Sequence, residues 1–175
     1  EQCGALGISH DYKIVFYDNS PLKTSARALW MFKVFGHNPH QLYILDGGLS
    51  AWRQYGGAIE EGPSYPVAMK SYDIRYQDNL IRTLDAMKKN LHHPAEQVVD
   101  MRHPSRFAGG KEARPSLRSG HIPGSFCFPY FTMFGADGCY KPLDKITKQL
   151  TGIGVDLKHP IVATCGSGMT AAILD

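Results

Sequence analysis

Short β-rich runs that alternate with helical patterns constrain the fold of this chain more than any other feature of its sequence. The apolar run 14–17 leads through an Asp-Asn-Ser-Pro turn to a helical pattern at 25–35, which Gly36 ends. A second run at 42–45 leads to a helical pattern at 49–55. Strands separated by helices are typical of a parallel sheet, so the sequence predicts an α/β fold.

The same alternation returns after an irregular stretch rich in Gly and Pro, which predicts two domains and a linker. We expect a first domain over 1–60, a linker over 61–78 with an extended segment near 67–69, and a second domain over 79–175. A long polar loop is expected at 102–120. The other elements predicted for the second domain are helix 80–91, strand 98–100, strand 126–128, helix 144–150, strand 161–164 and helix 170–174.

Composition narrows the class of protein. Hydrophobic residues make up 43% of the chain and charged residues 20%, which suits a globular domain with a packed core. The net charge of +3 comes from dispersed Lys and Arg, so we expect no nucleic-acid partner. No apolar run is long enough to span a membrane, so we expect no membrane partner either.

The cysteines show no metal-binding pattern. Cys3, Cys127, Cys139 and Cys165 form no Cys-x-x-Cys pair, and their spacing matches no zinc site. We therefore expect no metal, and we interpret the first three as packing or loop residues in a reducing, intracellular compartment.

The segment Cys165-Gly166-Ser167-Gly168-Met169-Thr170 is the strongest candidate for chemistry. It joins a predicted buried strand to a predicted helix, and its glycines allow several backbone N–H groups to face the cysteine. A helix N-terminus lowers a thiol pKa and favours the nucleophilic thiolate. The alternative reading is a buried cysteine beside a tight turn.

Several ordered motifs resemble one known family. They are Trp30-Met31-Phe32, Gly36-His37, Asp46-Gly47-Gly48 with Trp52, Val99-Asp100-Met101-Arg102, and Gly120-His121-Ile122-Pro123-Gly124. Together they resemble the tandem-domain sulfurtransferases, the family of rhodanese and 3-mercaptopyruvate sulfurtransferase. The resemblance implies two rhodanese-like domains, each a parallel sheet flanked by helices. It also implies that both are truncated in this chain, since the family's first domain begins earlier and its second continues further.

The resemblance implies roles for individual residues. Cys165 corresponds to the nucleophile that carries a persulfide, whereas the first domain has Asp18 where a cysteine would stand and resembles the family's inactive partner domain. Arg106 and Arg114 match positions that hold the substrate carboxylate and ketone, as suits the planar guanidinium. The expected substrate-binding residues are Arg106, Arg114, Gly166, Ser167, Gly168, Met169 and Thr170.

The form of the cysteine loop bears on the sulfur donor. Rhodaneses carry Arg and Lys in this loop, suited to thiosulfate, whereas this loop has the Cys-Gly-Ser-Gly-x-Thr form and no cation. The resemblance therefore implies 3-mercaptopyruvate as donor, a thiol such as thioredoxin or cyanide as acceptor, no cofactor, and a cytoplasmic or mitochondrial location. A thiosulfate sulfurtransferase and a non-catalytic binding module remain alternatives. A cysteine phosphatase is disfavoured, because Ala171 stands where its phosphate-binding Arg is needed.

Overall fold

The computed structural model describes residues 2–112 and 116–175 as a chain of short strands and helices. The strands are β1 (Ile14–Phe16), β2 (Leu42–Ile44), β3 (Gln97–Asp100), β4 (Phe126–Cys127) and β5 (Ile161–Thr164). The helices are α1 (Gln2–Ala5), α2 (Ser25–Val34), α3 (Gly48–Gln54), α4 (Leu84–His92), α5 (Pro104–Phe107) and α6 (Leu143–Gly152). Single 3-10 turns lie at Pro39–Gln41, Asp78–Leu80, Tyr130–Met133 and Ala171–Ile173.

The strands form two parallel sheets. In the N-terminal half β1 pairs with β2, with Ile14 opposite Leu42. In the C-terminal half the order is β4-β3-β5, with Asp100 opposite Thr164. The predicted alternation of strands and helices around parallel sheets is therefore confirmed.

The hydrophobic core surrounds β3 and extends to α2. Val99 and Met101 are fully buried, and Ile146 and Leu150 of α6 cover them from one side. Ala26 of α2 and Ile173 belong to the same buried cluster, because α2 packs against the turn at Ala171–Ile173 as well as against β1 and β2. Helix α2 therefore lies between the N-terminal sheet and the segment that follows Cys165.

Polar contacts also join the two halves. The Asp46 carboxylate accepts a hydrogen bond from the Tyr140 N–H at 2.8 Å. The Lys23 ammonium donates to the Gly138 carbonyl at 2.7 Å. The irregular segment before α4 follows the N-terminal half, where the Gln77 N–H donates to the Val34 carbonyl at 2.7 Å.

Two helix predictions and one loop prediction need correction. The helix predicted over 80–91 begins at Leu84, because the Thr83 hydroxyl accepts from the Ala86 N–H at 3.2 Å and caps it there. The loop predicted at 102–120 contains α5, which starts with proline and is capped by His103.

The helix predicted at 170–174 is a single 3-10 turn. The Ile173 N–H donates to the Thr170 carbonyl and the Leu174 N–H to the Ala171 carbonyl, both at 3.2 Å, in the i to i+3 pattern. So short a segment does not nucleate an α-helix. The backbone after Cys165 therefore presents individual N–H groups and no helix macrodipole.

Within the described residues, no helix combines the length and the hydropathy that a membrane span requires.

Candidate active site

Parallel pairing brings the ends of β3 and β5 to one edge of the C-terminal sheet. The Met101 N–H donates to the Thr164 carbonyl at 2.8 Å, which holds the two strand ends side by side. Cys165 follows β5 directly, and Arg102 follows β3 after one residue. In open parallel sheets, ligands bind outside the carboxyl ends of the strands, which is where these side chains lie.

The Cys165 thiol is half-buried and faces hydrogen-bond donors of its own loop. The Gly168 N–H donates to its Sγ at 3.1 Å. Burial alone raises the pKa of Cys165, but the Thr170 hydroxyl and the N–H groups of Ala171, Ser167 and Thr170 outweigh it, so the pKa is lowered overall. The loop therefore favours the thiolate, the nucleophilic form of cysteine.

The other predicted loop residues have different surroundings. Gly166 and Ser167 are exposed, whereas Gly168, Met169 and Thr170 are half-buried. In the part of the chain that the structure describes, the Ser167 side chain makes no hydrogen bond, and its backbone N–H is the group that acts on Cys165. Ser167 therefore presents its hydroxyl to solvent beside the thiol.

Arg106 of α5 lies directly against the cysteine loop. A Cβ placed on Gly166 would come within 2.9 Å of the Arg106 Nη2, so the absence of a side chain at 166 lets the guanidinium approach. His121 holds α5 in place, since its Nδ1–H donates to the Phe107 carbonyl at 2.7 Å and the two rings stack at 3.7 Å. The structure thus places Arg106 against the residue that follows Cys165.

A buried ion-pair chain supports Arg106 from behind. Glu112, only 7% exposed, accepts from Arg106 Nε at 3.1 Å and from Arg102 Nη1 at 2.7 Å. Arg102 in turn binds the Asp100 carboxylate through Nε and Nη2, at 2.9 and 2.6 Å. The hydrogen bond from Arg106, opposed by burial and aided by Arg102, lowers the pKa of Glu112. This chain fixes the guanidinium of Arg106.

Arg114, the second predicted substrate arginine, lies outside the described residues, which stop at Glu112 and resume at Ser116.

Two residues of this site were missed by the sequence reading. Glu112 stands two residues before Arg114, and an acidic residue between arginines was a signal that could have identified it. Arg27 of α2 lies against Gly168 from the other half of the molecule, with its Nη1 3.4 Å from the Gly168 carbonyl oxygen. No local pattern marks Arg27, because the contact depends on how α2 packs.

A cavity of about 980 Å³ borders the cysteine loop at Gly168. Arg27, Trp30, Gly168 and Ala172 contribute to its walls, together with apolar residues of α6 and β5, whereas Cys165 and Arg106 do not.

Within residues 2–112 and 116–175, no group of three or more His, Cys, Asp or Glu side chains is arranged to hold a metal ion.

Comparison with known proteins gives a consistent result for sequence and structure. The chain is 37% identical over 174 residues to 3-mercaptopyruvate sulfurtransferase of Homo sapiens, covering 98% of this chain and 58% of that protein. It is 36% identical over 193 residues to Thiosulfate/3-mercaptopyruvate sulfurtransferase 1, mitochondrial, of Arabidopsis thaliana, covering 98% and 50%. The chain spans about half the length of the curated relatives it matches.

A solved structure supports the fold assignment. SseA from Escherichia coli, described as a 3-mercaptopyruvate sulfotransferase with the rhodanese fold, superposes with a TM-score of 0.85 at 29% identity, covering 99% of this chain and 63% of SseA. The model of the Rhodanese-like domain matches residues 2–55 and 83–174. The predicted rhodanese-like α/β fold is thereby confirmed, and the chain belongs to the rhodanese-like domain family.

Proposed function

We propose that this chain contains the sulfur-carrying part of a sulfurtransferase, in which Cys165 takes a sulfur atom from 3-mercaptopyruvate and passes it to a thiol acceptor or cyanide. The observation that carries the proposal is the Cys165 thiol itself. Its pKa is lowered by loop donors, and the guanidinium of Arg106 lies against Gly166, the residue that follows it. The names of the human and Arabidopsis relatives support this choice of donor.

The first half-reaction forms a persulfide. The Cys165 thiolate attacks the sulfur atom of 3-mercaptopyruvate, and an S–S bond forms as the C–S bond breaks. The electron pair of that bond goes to the departing carbon, so pyruvate leaves as its enolate, which takes up one proton and becomes the keto acid. Arg106 is suited to hold the carboxylate of the donor, because a guanidinium binds carboxylates through paired hydrogen bonds. We assign Arg114 to the same task.

The second half-reaction returns the thiolate. An acceptor thiol attacks the outer sulfur, and the Cys165 sulfur leaves with the electron pair of the S–S bond. With cyanide as acceptor the product is thiocyanate. Each step is a nucleophilic displacement at sulfur that needs no external oxidant or reductant, so the proposed mechanism uses no metal or organic cofactor. The N–H groups around Cys165 stabilise the anionic sulfur both before attack and after release.

We further propose how the chain is divided. Residues 79–175 form the catalytic unit, 61–78 the linker, and 1–60 an inactive rhodanese-like partner. The two parallel sheets support this division. We propose thioredoxin as an acceptor and the cytoplasm or mitochondrion as the location; the mitochondrial form among the relatives supports the latter.

Thiosulfate is the second candidate donor, because the charges around the loop also suit a dianion. The loop sequence has no cation, yet the guanidinium groups of Arg106 and Arg27 lie against Gly166 and Gly168. Two cations close to the loop are compatible with a dianion as well as with a keto acid.

Mass spectrometry of the Cys165 peptide tests both candidates. The folded chain is incubated with 3-mercaptopyruvate or thiosulfate, and one added sulfur atom on Cys165 is expected with the first. Cys165→Ser should take up none, whereas the control Cys139→Ser should behave as the unsubstituted chain. Labelling by thiosulfate alone would make the protein a thiosulfate sulfurtransferase. No label from either donor would favour a non-catalytic binding module.

A further inference from the structure

The N-terminal half contributes one cation to the cysteine loop. Arg27 lies in α2, and its Nη1–H donates to the Gly168 carbonyl oxygen at 3.4 Å. The two residues are 141 positions apart in the sequence. A Cβ on Gly168 would come within 2.8 Å of the Arg27 Nη1, so only glycine allows this approach.

The guanidinium of Arg27 is held in place from its other side. Its Cζ lies 4.5 Å from the centre of the Trp30 ring, one helical turn further along α2. Across the described residues, no carboxylate forms an ion pair with Arg27. The polar contact of this cation is therefore the loop carbonyl, and its stacking on Trp30 fixes the direction of approach.

Both polar groups of Gly168 are engaged at once. Its carbonyl oxygen accepts from Arg27, while its N–H donates to the Cys165 Sγ at 3.1 Å. Gly168 has a φ of 77°, a left-handed conformation that other residues rarely adopt. The two groups belong to the peptide planes that meet at the Gly168 Cα, so a contact that holds one plane limits the rotation available to the other.

We propose that Arg27 is a positioning residue of the site: it holds the Gly168 carbonyl from the N-terminal half and thereby keeps the Gly168 N–H directed at the Cys165 sulfur. The proposal deepens the function proposed above and rests on the assignment of Cys165 as nucleophile. It gives the N-terminal half, which has Asp18 in place of a cysteine, a specific part in the reaction.

Charged groups from two helices and from the segment after α5 lie near the loop. Arg27 of α2 lies against Gly168, and Arg106 of α5 lies against Gly166. Glu112 stands behind Arg106 and neutralises it by an ion pair. The removal of Arg27 therefore changes the Gly168 side of the loop and leaves the Arg106–Glu112 pair intact.

The test is the pH dependence of Cys165 alkylation. The chain is treated with iodoacetamide in the absence of any sulfur donor, and the labelled Cys165 peptide is counted separately from the other cysteines. In Arg27→Met, the rate in mildly acidic buffer should fall about five- to tenfold, the effect of weakening one hydrogen bond to a charged group. At alkaline pH, where every thiol is ionised, the two rates should converge.

Two further variants complete the test. The control Arg53→Met removes an exposed arginine of the same half and should leave the profile unchanged. Arg27→Lys keeps the charge but lacks the planar fork, so it should lower the acidic rate about two- to threefold. If Arg27→Met does not fold, the alkylation rate of Arg27→Lys relative to the unsubstituted chain decides the test.

The outcomes separate this inference from the proposed function. A profile for Arg27→Met and Arg27→Lys that superimposes on that of the unsubstituted chain overturns the positioning role, even if Cys165 accepts sulfur. An equal fall in Arg53→Met also overturns it, because the effect would then be one of net charge. A chain that takes sulfur from neither donor would contradict the proposed function, while the alkylation profile still tests the part of Arg27.

Discussion

Two loops of this molecule place an anionic side chain after a parallel strand, and they use it differently. After β1, the Asp18 carboxylate accepts from the Ser20 N–H at 2.8 Å and from the Ser25 N–H at 2.5 Å, at the start of α2. After β5, the Cys165 sulfur accepts from the Gly168 N–H at 3.1 Å. In both, backbone N–H groups surround an acceptor from the same loop.

The two acceptors differ in chemistry. Burial raises the pKa of Asp18, but the opposing effects are larger and the pKa is lowered overall. They come from the Ser25 hydroxyl, the N–H groups of Ser25 and Ser20, and the Lys23 ammonium. This carboxylate is therefore an anion at neutral pH. The pKa of Cys165 is also lowered, and its thiolate is a nucleophile. The same arrangement of donors therefore stabilises the structure in one loop and prepares a reactive sulfur in the other.

The two loops also differ in their glycine content. The cysteine loop has Gly166 and Gly168, each approached by a guanidinium, whereas the loop after β1 has no glycine between Asp18 and Ser25. The cysteine loop is thus approached at its glycines by guanidinium groups from other parts of the chain, and substitutions at these positions test how much of the contrast depends on that approach.

The largest expected effect comes from Gly168→Ala. At a φ of 77° alanine is strained, and its Cβ would lie 2.8 Å from the Arg27 Nη1, so both the turn and the contact with Arg27 must shift. Persulfide formation at Cys165 should slow about 100-fold, as expected when a reacting group is misplaced by about 1 Å. Rapid-quench mass spectrometry of the Cys165 peptide measures this rate.

Gly124→Ala is the matched control for that change. Gly124 has the same φ of 77°, but a Cβ there meets nothing within 4 Å. The variant should lose about 1–2 kcal/mol of stability from the left-handed conformation and keep its rate of persulfide formation. Equal loss of rate in both variants would show that strain alone, without the loop contacts, explains the effect.

Gly166→Ala should have a smaller and different effect. Gly166 has no positive φ, so alanine fits the backbone, but its Cβ would lie 2.9 Å from the Arg106 Nη2 and displace that flexible group. The KM for 3-mercaptopyruvate should rise about tenfold, the loss of one charged hydrogen bond, while the pH profile of Cys165 alkylation stays unchanged. Gly152→Ala, which meets nothing within 4 Å, is the control. An unchanged KM would show that Arg106 does not bind the donor.

Glu112→Gln tests the support of Arg106. Glutamine keeps one acceptor oxygen but no charge, so the KM for the donor should rise about three- to fivefold. Because the pKa of Glu112 is lowered, its charge is present above the usual carboxyl range and is lost as pH falls through the lowered value. The KM of the unsubstituted protein should therefore approach that of the variant in acid. Steady-state kinetics against pH measure both, with exposed Glu60→Gln as control.

The smallest expected effect on sulfur transfer is that of Asp18→Asn. The rate at Cys165 should change less than about twofold, while the free energy of unfolding falls by about 1 kcal/mol because one backbone N–H loses its charged acceptor. The lowered pKa of Asp18 means that its stabilisation is present above the unfolded pKa and is lost as pH falls through the folded one. Urea unfolding should show a difference in the free energy of unfolding between the unsubstituted protein and the variant at neutral pH, and this difference should disappear in acid.

Exposed Asp73→Asn should leave that unfolding curve unchanged. A large loss of sulfur transfer in Asp18→Asn would contradict the contrast between a structural loop and a reactive loop.

Local patterns predicted the strands and several helices well. The runs at 14–17, 42–45 and 161–164 are strands in the structure, each within one residue of its predicted end. The helix predicted at 170–174 was wrong, since a run of Thr, Ala and Ile suits a helix but only one 3-10 turn forms. The pKa of Cys165 is lowered as predicted, but through separate hydrogen bonds from the loop and not through a helix dipole.

The sequence by itself determined the parallel α/β arrangement and the glycine-rich loop at Cys165, because both depend on residues adjacent in the chain. The resemblance had already assigned Arg106, and only the tertiary structure decided which other charged groups take part. Glu112 holds the Arg106 guanidinium, and Arg27 arrives from α2, 141 residues before Gly168. Such contacts depend on how helices pack on two separate sheets, and a local pattern of residues carries no information about that packing.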